Sequence, residues 1–488
     1  MSKLDLSQEA RWLGHFWLPD DAGSRQPGVL SYKPGRGLQL SLIGGFSDAA
    51  WIPRDPTTRY MSHRTRRWPI IHGDAENEPI TLFDCAEQHG QMAGTGTDMY
   101  RQDMRASTAL IGIRIPTEES ASFSGIEVEV ENLSSWASEP DMTIEHDILE
   151  NGPRRWRVQT ELAESRFASV EGTTAELGRR YTVPDFDPRR GSLSVSGDAV
   201  SYIRFQSNEA RTMADWLPYV SFIQDLISLA FDVPCGVVRQ TLIPSATAFE
   251  DGAHAAKGRI HLLTNELVVS RPMEPGAEFA DAVFTLKDVA YADVLPAWFA
   301  LRRKFSAPCN MVIGAMYLSD PGYLNSQVVT AVTAAEAMHR AFDSDPPIPK
   351  AEFTRLKKQL VESLPENRRQ WLREKLAHND HTLRQRLQDL ASRPDADVMA
   401  RLLPSPEAWS EDATKARNGI AHEGHSEADL LLMHAVVVVT QAVVKMNLFS
   451  QLGIPVDRLK YALATRGSLR QAARLARELW PQPAPPTN

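Results

Sequence analysis

The chain has 488 residues, more than one ordinary hydrophobic core accommodates, so two or three domains are expected. With 42% hydrophobic and 24% charged residues it has the composition of a soluble globular protein, and its net charge of −9 argues against a general polyanion binder, so any nucleic-acid contact must be local. Cys85, Cys235 and Cys309 are far apart, odd in number and without a C-x-x-C pair, which argues against a disulfide framework or a zinc site and for reduced, buried thiols of a cytoplasmic protein.

The amino-terminal ten residues are polar, with no signal-peptide core, and no export is expected. From His15 to about Pro244, short apolar runs broken by Gly, Pro, Asp and Asn predict a β-rich region. Leu38–Ile43 alternates apolar and polar residues like a half-buried strand, and Ile80–Phe83, Leu110–Ile113, Ile126–Val130 and Ser192–Val195 are similar candidates. Trp17, Trp51, Trp136 and His72 are read as core and turn packing. Helical spacing follows over Asn208–Asp232, strand-like alternation over Val237–Phe284, and a helix over Lys287–Ser306. Residues 307–321 are the expected linker. Beyond it, helices are predicted over Tyr323–Phe342, from Pro365 to about His378, from the capping box Thr382–Gln385 to about Ser392, over Glu427–Leu452 and over Ser468–Trp480. The apolar stretch Leu430–Phe449 has about the length of a bilayer span, but His434, Gln441, Lys445 and Asn447 interrupt it, so a core or interface helix is expected and no membrane contact. The Pro-rich end, 481–488, reads as a disordered tail.

Between a Trp409-containing loop and the Leu430 helix lies Arg417-Asn418-Gly419-Ile420-Ala421-His422. Five residues turn about 500° on an α-helix, so Arg417 and His422 would not share a face there. A turn or broken helix start is expected instead, with Gly419 and Gly424 able to take positive φ and Ser426 as N-cap. The pair joins a permanent, fork-shaped phosphate-binding cation to the side chain that exchanges protons near neutral pH. Asn418 is read as orienting His422 or a phosphate, or as a turn residue bonding its own backbone; His425, Glu336 and His339 are further candidates, Glu336 being more simply a partner for local basic side chains. No metal-ligand spacing and no phosphate-binding Gly-rich loop is present, so no cofactor is expected.

This segment resembles the R-x4-6-H motif of HEPN domains. His15–Asp20, Gly28–Tyr32, Ile71-His72-Gly73 with Ile80–Leu82, and Phe123 with Leu133–Trp136 resemble the ApeA amino-terminal domain. The two resemblances imply an α+β chain: a β-rich sensing or regulatory region over 1–306, a linker over 307–321, and an all-α HEPN bundle over 322–480. They imply a metal-independent endoribonuclease of abortive antiphage defence, cleaving RNA, with tRNA one candidate target, released by an unknown phage-derived trigger. Arg417, His422 and Asn418 are the implied catalytic residues. One histidine at the motif of each chain against two proton transfers implies a homodimer or higher even oligomer through the HEPN domain. Between Glu366 and Arg393 seven cations outnumber four anions, and Arg368, Arg369, Arg373, Arg384 and Arg386 are a candidate RNA track, a solvated basic face being the alternative. Two rival readings are a catalytically silent HEPN RNA-binding or dimerisation module, and a ligand-binding or glycosidase-like β-domain protein without nuclease activity.

Overall fold

The computed structural model describes residues 4–46, 51–53, 59–61, 66–92, 99–120, 122–137, 142–149, 152–160, 163–181, 185–187, 194–196, 199–246, 254–255, 259–265, 282–318, 322–342, 345–426 and 428–482. The chain divides into two compact units, Met1–Pro296 and Ala297–Asn488.

In the first unit six antiparallel strands close into a barrel. They pair in the order Glu78–Met92, Arg67–Ala75, Ala10–Trp17, Gln26–Lys33, Gly37–Ile43 and Met99–Ala106, and the last returns to pair with the first. Alternation gives each face its character: Leu38, Leu40 and Leu42 are buried while Gln39, Ser41 and Ile43 are not. Glu78–Met92 also pairs with Thr108–Ile111, from which an open sheet continues through Ile260–Thr264, Val237–Pro244, Phe123–Val130, Ala199–Arg211, Thr173–Tyr181 and Arg166–Val170. Of the expected strands, Ser192–Val195 lies partly outside the described residues.

Helix α1 (Leu133–Ala137) is a single short turn, and α2 (Met213–Phe231) is tied to the open sheet by Trp216 Nε1, which donates to the Phe123 carbonyl at 3.3 Å. The helix starts later than expected: residues 208–211 extend a strand, and the capping box of Thr212 and Asp215 sets the start. Trp17 is buried against His72, whose Nε2 meets the Ile115 carbonyl at 3.0 Å, and Trp136 is fully buried, so these are packing residues; the Trp51 side chain lies outside the described residues. Cys85, Cys235 and Cys309 are free and buried, and burial pushes the Cys235 thiol up to about 11.

The sheet face that carries Glu127 bears on the glycosidase-like reading. Arg204 Nη2 and Arg259 Nη1 reach the Glu127 carboxylate at 2.7 and 3.1 Å, and Arg180 also pairs with it. Burial pushes this carboxyl up, but the hydrogen bonds and charges of Arg180, Arg204 and Arg259 outweigh it and hold it below its ordinary range. A carboxyl kept ionised in this way is unsuited to the general-acid role that glycoside cleavage requires.

Helix α3 (Tyr291–Lys304) crosses the division between the units. The second unit continues with α4 (Ser306–Met316), α5 (Leu324–Ala341), α6 (Lys350–Glu362), α7 (Glu366–Lys375), α8 (Leu383–Ser392), α9 (Ala396–Leu402), α10 (Pro406–Glu423), α11 (Leu430–Gln451), α12 (Val456–Thr465) and α13 (Gly467–Leu479). The expected linker 307–321 is largely α4, because Pro308, Cys309, Val312 and Ile313 form a buried stripe at helical spacing. The Thr382 capping box is present as read, Thr382 Oγ1 accepting from the Gln385 amide at 3.3 Å. Residues 483–488 of the expected tail lie outside the described residues.

Helix α11 is the one described helix long and apolar enough to cross a membrane, and it is the core helix of this unit. It starts at Leu430 with Asp429 as cap, accepting from the Leu432 amide at 2.7 Å, rather than at Glu427 behind a Ser426 cap. Val436, Val439, Val443, Met446 and Phe449 are buried within the unit, and Asn447 Nδ2 donates to the Leu390 carbonyl of α8 at 3.0 Å. From Met433 onward its apolar character is accounted for by the core, while Leu430 and Leu431 at its start are exposed.

Candidate active site

The motif lies in the last two turns of α10, whose local sequence marks both ends. Ser405 Oγ accepts from the Ala408 amide at 3.4 Å, Pro406 fills the first helical position, and Gly424, at φ 78°, ends the helix in the left-handed conformation. Arg417 and His422 thus occupy one continuous helix, not the turn expected from the sequence, and Gly419 is helical. Trp409 is likewise on this helix and not in a loop. The angular argument still applies: the two side chains leave the helix about 140° apart and about 7.5 Å apart along its axis.

Buried Trp409, Ala413 and Ala416 form the inward stripe of α10. Three contacts fix its position: Trp480 Nε1 donates to Asp412 Oδ2 at 2.9 Å, Gln388 Nε2 to Ser410 Oγ at 3.1 Å, and Arg384 pairs with Glu411 at 3.3 Å. Gly419 is required by the chain that follows, since a Cβ there would stand 2.9 Å from the His425 carbonyl oxygen. Gly419→Ala is expected to lower the stability of the helical unit, because overpacking against backbone costs about 1–3 kcal/mol while the better helix propensity of Ala returns about 1 kcal/mol. Thermal denaturation checks this, an unchanged or raised midpoint being the contrary result.

Arg417 is held but not saturated. Its Nη1 donates to Asn418 Oδ1 at 3.1 Å, its Nη2 stands 3.9 Å from Glu336 Oε2, and its buried Nε has no hydrogen-bond partner among the described residues. Asn418 therefore orients the arginine, rather than His422 or its own backbone. Glu336 of α5 also lies 2.8 Å from Arg340 Nη2 and 3.6 Å from Arg386 Nη1, so one carboxylate faces three guanidinium groups and the locality is cationic. His422 and His425 are exposed. His339 is 3% exposed and its Nε2 lies 3.2 Å from Asp389 Oδ2 of α8, so it belongs to a neighbouring cluster. Burial lowers its imidazole below the ordinary value, despite the hydrogen bond to Asp389, which raises it.

The five arginines of the expected RNA track do not form one surface. Arg386 is 6% exposed, its Nε donating to the His381 carbonyl at 2.8 Å; it is a buried structural cation and not part of a track. Arg384 is engaged by Glu411, and Arg369 Nε donates to the Leu364 carbonyl at 2.9 Å. Arg368 and Arg373 on α7 are exposed. Glu336 is the partner of local basic side chains that the sequence suggests; which ones, Arg340, Arg386 and Arg417, only the structure shows, the i, i+4 spacing of Glu336 and Arg340 announcing the first.

A helical unit with an Arg-x4-His helix following a β-rich unit defines a HEPN-domain protein. The chain belongs to the ApeA family: residues 11–295 match ApeA N-terminal domain 1, and residues 329–458 match the Apea-like HEPN domain. No curated protein and no solved structure matches it. HEPN domains are generally associated with ribonuclease activity, and this pairing of domains points to a nuclease-like role in antiphage defence.

Proposed function

We propose that this chain is a metal-independent endoribonuclease of abortive antiphage defence, in which Arg417 binds the scissile phosphate and His422 carries protons. The observation that carries this reading is the half-buried Arg417 guanidinium, oriented by Asn418 and Glu336, with 30% of its side chain still open to a ligand. The open part of this guanidinium suits a phosphate, which an arginine binds through charge-assisted hydrogen bonds in a fixed planar fork. In the reaction the 2′-oxygen attacks phosphorus, the bond to the 5′-oxygen breaks, and one proton leaves the 2′-hydroxyl while another reaches the 5′-oxygen. Arg417 stabilises the charge that builds on the non-bridging oxygens.

Two proton transfers call for two histidines, and His422 projects about 140° away from Arg417. A second copy facing the first across a two-fold axis supplies the missing group. Leu430 and Leu431, 72% and 47% exposed at the start of α11 a short loop after His422, provide apolar surface for that contact. The β-rich unit serves as the receiver of the phage-derived trigger, and tRNA is one candidate target.

Among the described residues no group of three His, Cys, Asp or Glu side chains could hold a metal ion. Cleavage of total RNA is accordingly expected to persist in excess EDTA and to leave 2′,3′-cyclic phosphate and 5′-hydroxyl ends. End analysis of the products decides: 5′-phosphate ends formed only with added Mg²⁺ overturn the mechanism.

A further inference from the structure

Helices α6 and α7 differ from the rest of the helical unit. Among the described residues, Val361 is the one buried side chain of α6, and α7 has none. A helix that covers the core carries a buried stripe, as α5 and α11 do, so this hairpin presents most of its surface to solvent. That surface is basic: over Lys350–Lys375 eight cations stand against four anions, in a chain whose net charge is −9. Two of the anions are met within the hairpin, Glu362 by Lys358 at 4.0 Å and Glu374 by Gln370 at 2.9 Å. Arg355, Lys357, Arg368, Arg373 and Lys375 have no acidic partner among the described residues. In their midst stands Trp371, 57% exposed. Arg368 lies three residues before it and Lys375 four after, spacings that put both cations on the indole's own helix face, and both are exposed.

An open π-face with a cation on either side matches single-stranded nucleic acid, in which bases alternate with phosphates and are held by stacking on aromatic side chains along a basic track. A duplex keeps its bases stacked on one another and leaves a lone indole nothing to stack on. A membrane-seeking surface separates its apolar face from its charges, whereas Trp371 shares a face with two cations. The hairpin is also rooted beside the proposed reaction centre. Asn379 Nδ2 donates to the Ile348 carbonyl at 2.6 Å, and His381 Nε2 meets the Asp345 carbonyl at 2.9 Å, which ties the segment entering α6 to the segment leaving α7. These segments line one pocket with Arg340 and Arg386, the two arginines that share Glu336 with Arg417. From this root the 13 residues of α6 extend about 20 Å, at 1.5 Å per residue.

We infer that the α6–α7 hairpin is a binding arm for a single-stranded part of the RNA, with Trp371 stacking on one base and Arg368 and Lys375 holding the phosphates on either side of it. The inference rests on the ribonuclease reading above, whose substrate it positions. Local charge on the arm gives a chain that is acidic as a whole its hold on a polyanion. Stacking accepts any base, so the arm contributes affinity and a preference for unpaired strands, not sequence choice.

The test uses the full chain and a short, unstructured 2′-O-methyl oligonucleotide, which has no free 2′-hydroxyl and is not cleaved. Trp371→Leu, which keeps apolar bulk and removes the π-face, is expected to weaken binding by about fivefold or more without changing its salt dependence. Trp371→Phe is expected to stay within about twofold of the wild type, because it keeps an aromatic face. Arg368→Gln and Lys375→Gln are each expected to lower the slope of log affinity against log salt by about 0.7, the value for one phosphate contact on a single strand. Since α7 buries no side chain, all four variants should match the wild type in circular dichroism. Unchanged affinity in Trp371→Leu, or a duplex of the same sequence bound as tightly as the single strand, overturns the inference. Two outcomes assign the arm elsewhere and also overturn it: oligomer size that changes in Trp371→Leu while oligonucleotide affinity does not, or vesicles of anionic phospholipid whose binding alone is lost in that variant. These readouts need no cleavage. A protein that binds as expected and cuts no RNA refutes the ribonuclease reading alone, and one that cuts RNA with affinity indifferent to Trp371 refutes the arm alone.

Discussion

Replacing His422 by alanine lowers RNA cleavage by roughly 10² to 10⁴, the usual worth of a positioned proton carrier, while RNA affinity stays near the wild-type value. The side chain is exposed in the last turn of α10, so no core contact is lost and the folded state is expected to tolerate the change. The controls are circular dichroism, thermal midpoint and oligomer size, each of which should match the wild type. Full activity in a verified folded His422→Ala protein would falsify the assignment and leave a catalytically silent HEPN module as the better reading.

Arg417→Ala is expected to fail in a different way, with both cleavage and RNA affinity reduced. Loss of one preorganised charge-stabilising donor typically costs roughly 10² to 10³ in kcat, and the phosphate contact adds a loss in binding. The fold should survive, since Glu336 keeps Arg340 at 2.8 Å and Arg386 at 3.6 Å, so no buried carboxylate is left without a cation. Arg417→Lys is the sharper comparison. An ammonium keeps the charge but lacks the planar fork, and it cannot both accept orientation by Asn418 Oδ1 and present two parallel donors to phosphate. Recovery of wild-type kcat/KM in Arg417→Lys would show that charge alone suffices and would sink the bidentate role.

Local patterns in the sequence determined much of what surrounds this site. Period-two alternation placed Leu38–Ile43 as a half-buried strand, the Thr382–Gln385 pair opened α8, and the spacing and number of cysteines foretold free, buried thiols. Arg417, Asn418 and His422 were visible because they are contiguous. Even so, Ser405-Pro406 and Gly424, a start and a stop on the two sides of the motif, marked an unbroken helix that the angular argument wrongly exchanged for a turn. Faces 140° apart are compatible with one helix; they only forbid a shared face.

Tertiary structure decided the rest, because the burial of a charged side chain depends on which distant group meets it, and no local period encodes that meeting. Arg386 looked like one of several surface cations on α7 and α8, yet α5 brings Glu336 against it and removes it from solvent. The same carboxylate reaches Arg417 on α10, and Asn418, read as orienting His422 or a phosphate or as a turn residue, places its oxygen against that arginine. For Leu430–Phe449 the composition left core and interface both open; packing within the helical unit decided for the core from Met433 onward. Closure of the barrel likewise needed the pairing of Glu78–Met92 with Met99–Ala106, a register that alternation permits in each strand but cannot choose between strands. A pocket lined by Arg340, Asp345, His381 and Arg386 exists only because the segments before α6 and before α8 meet over the end of α5, a meeting that no local pattern announces.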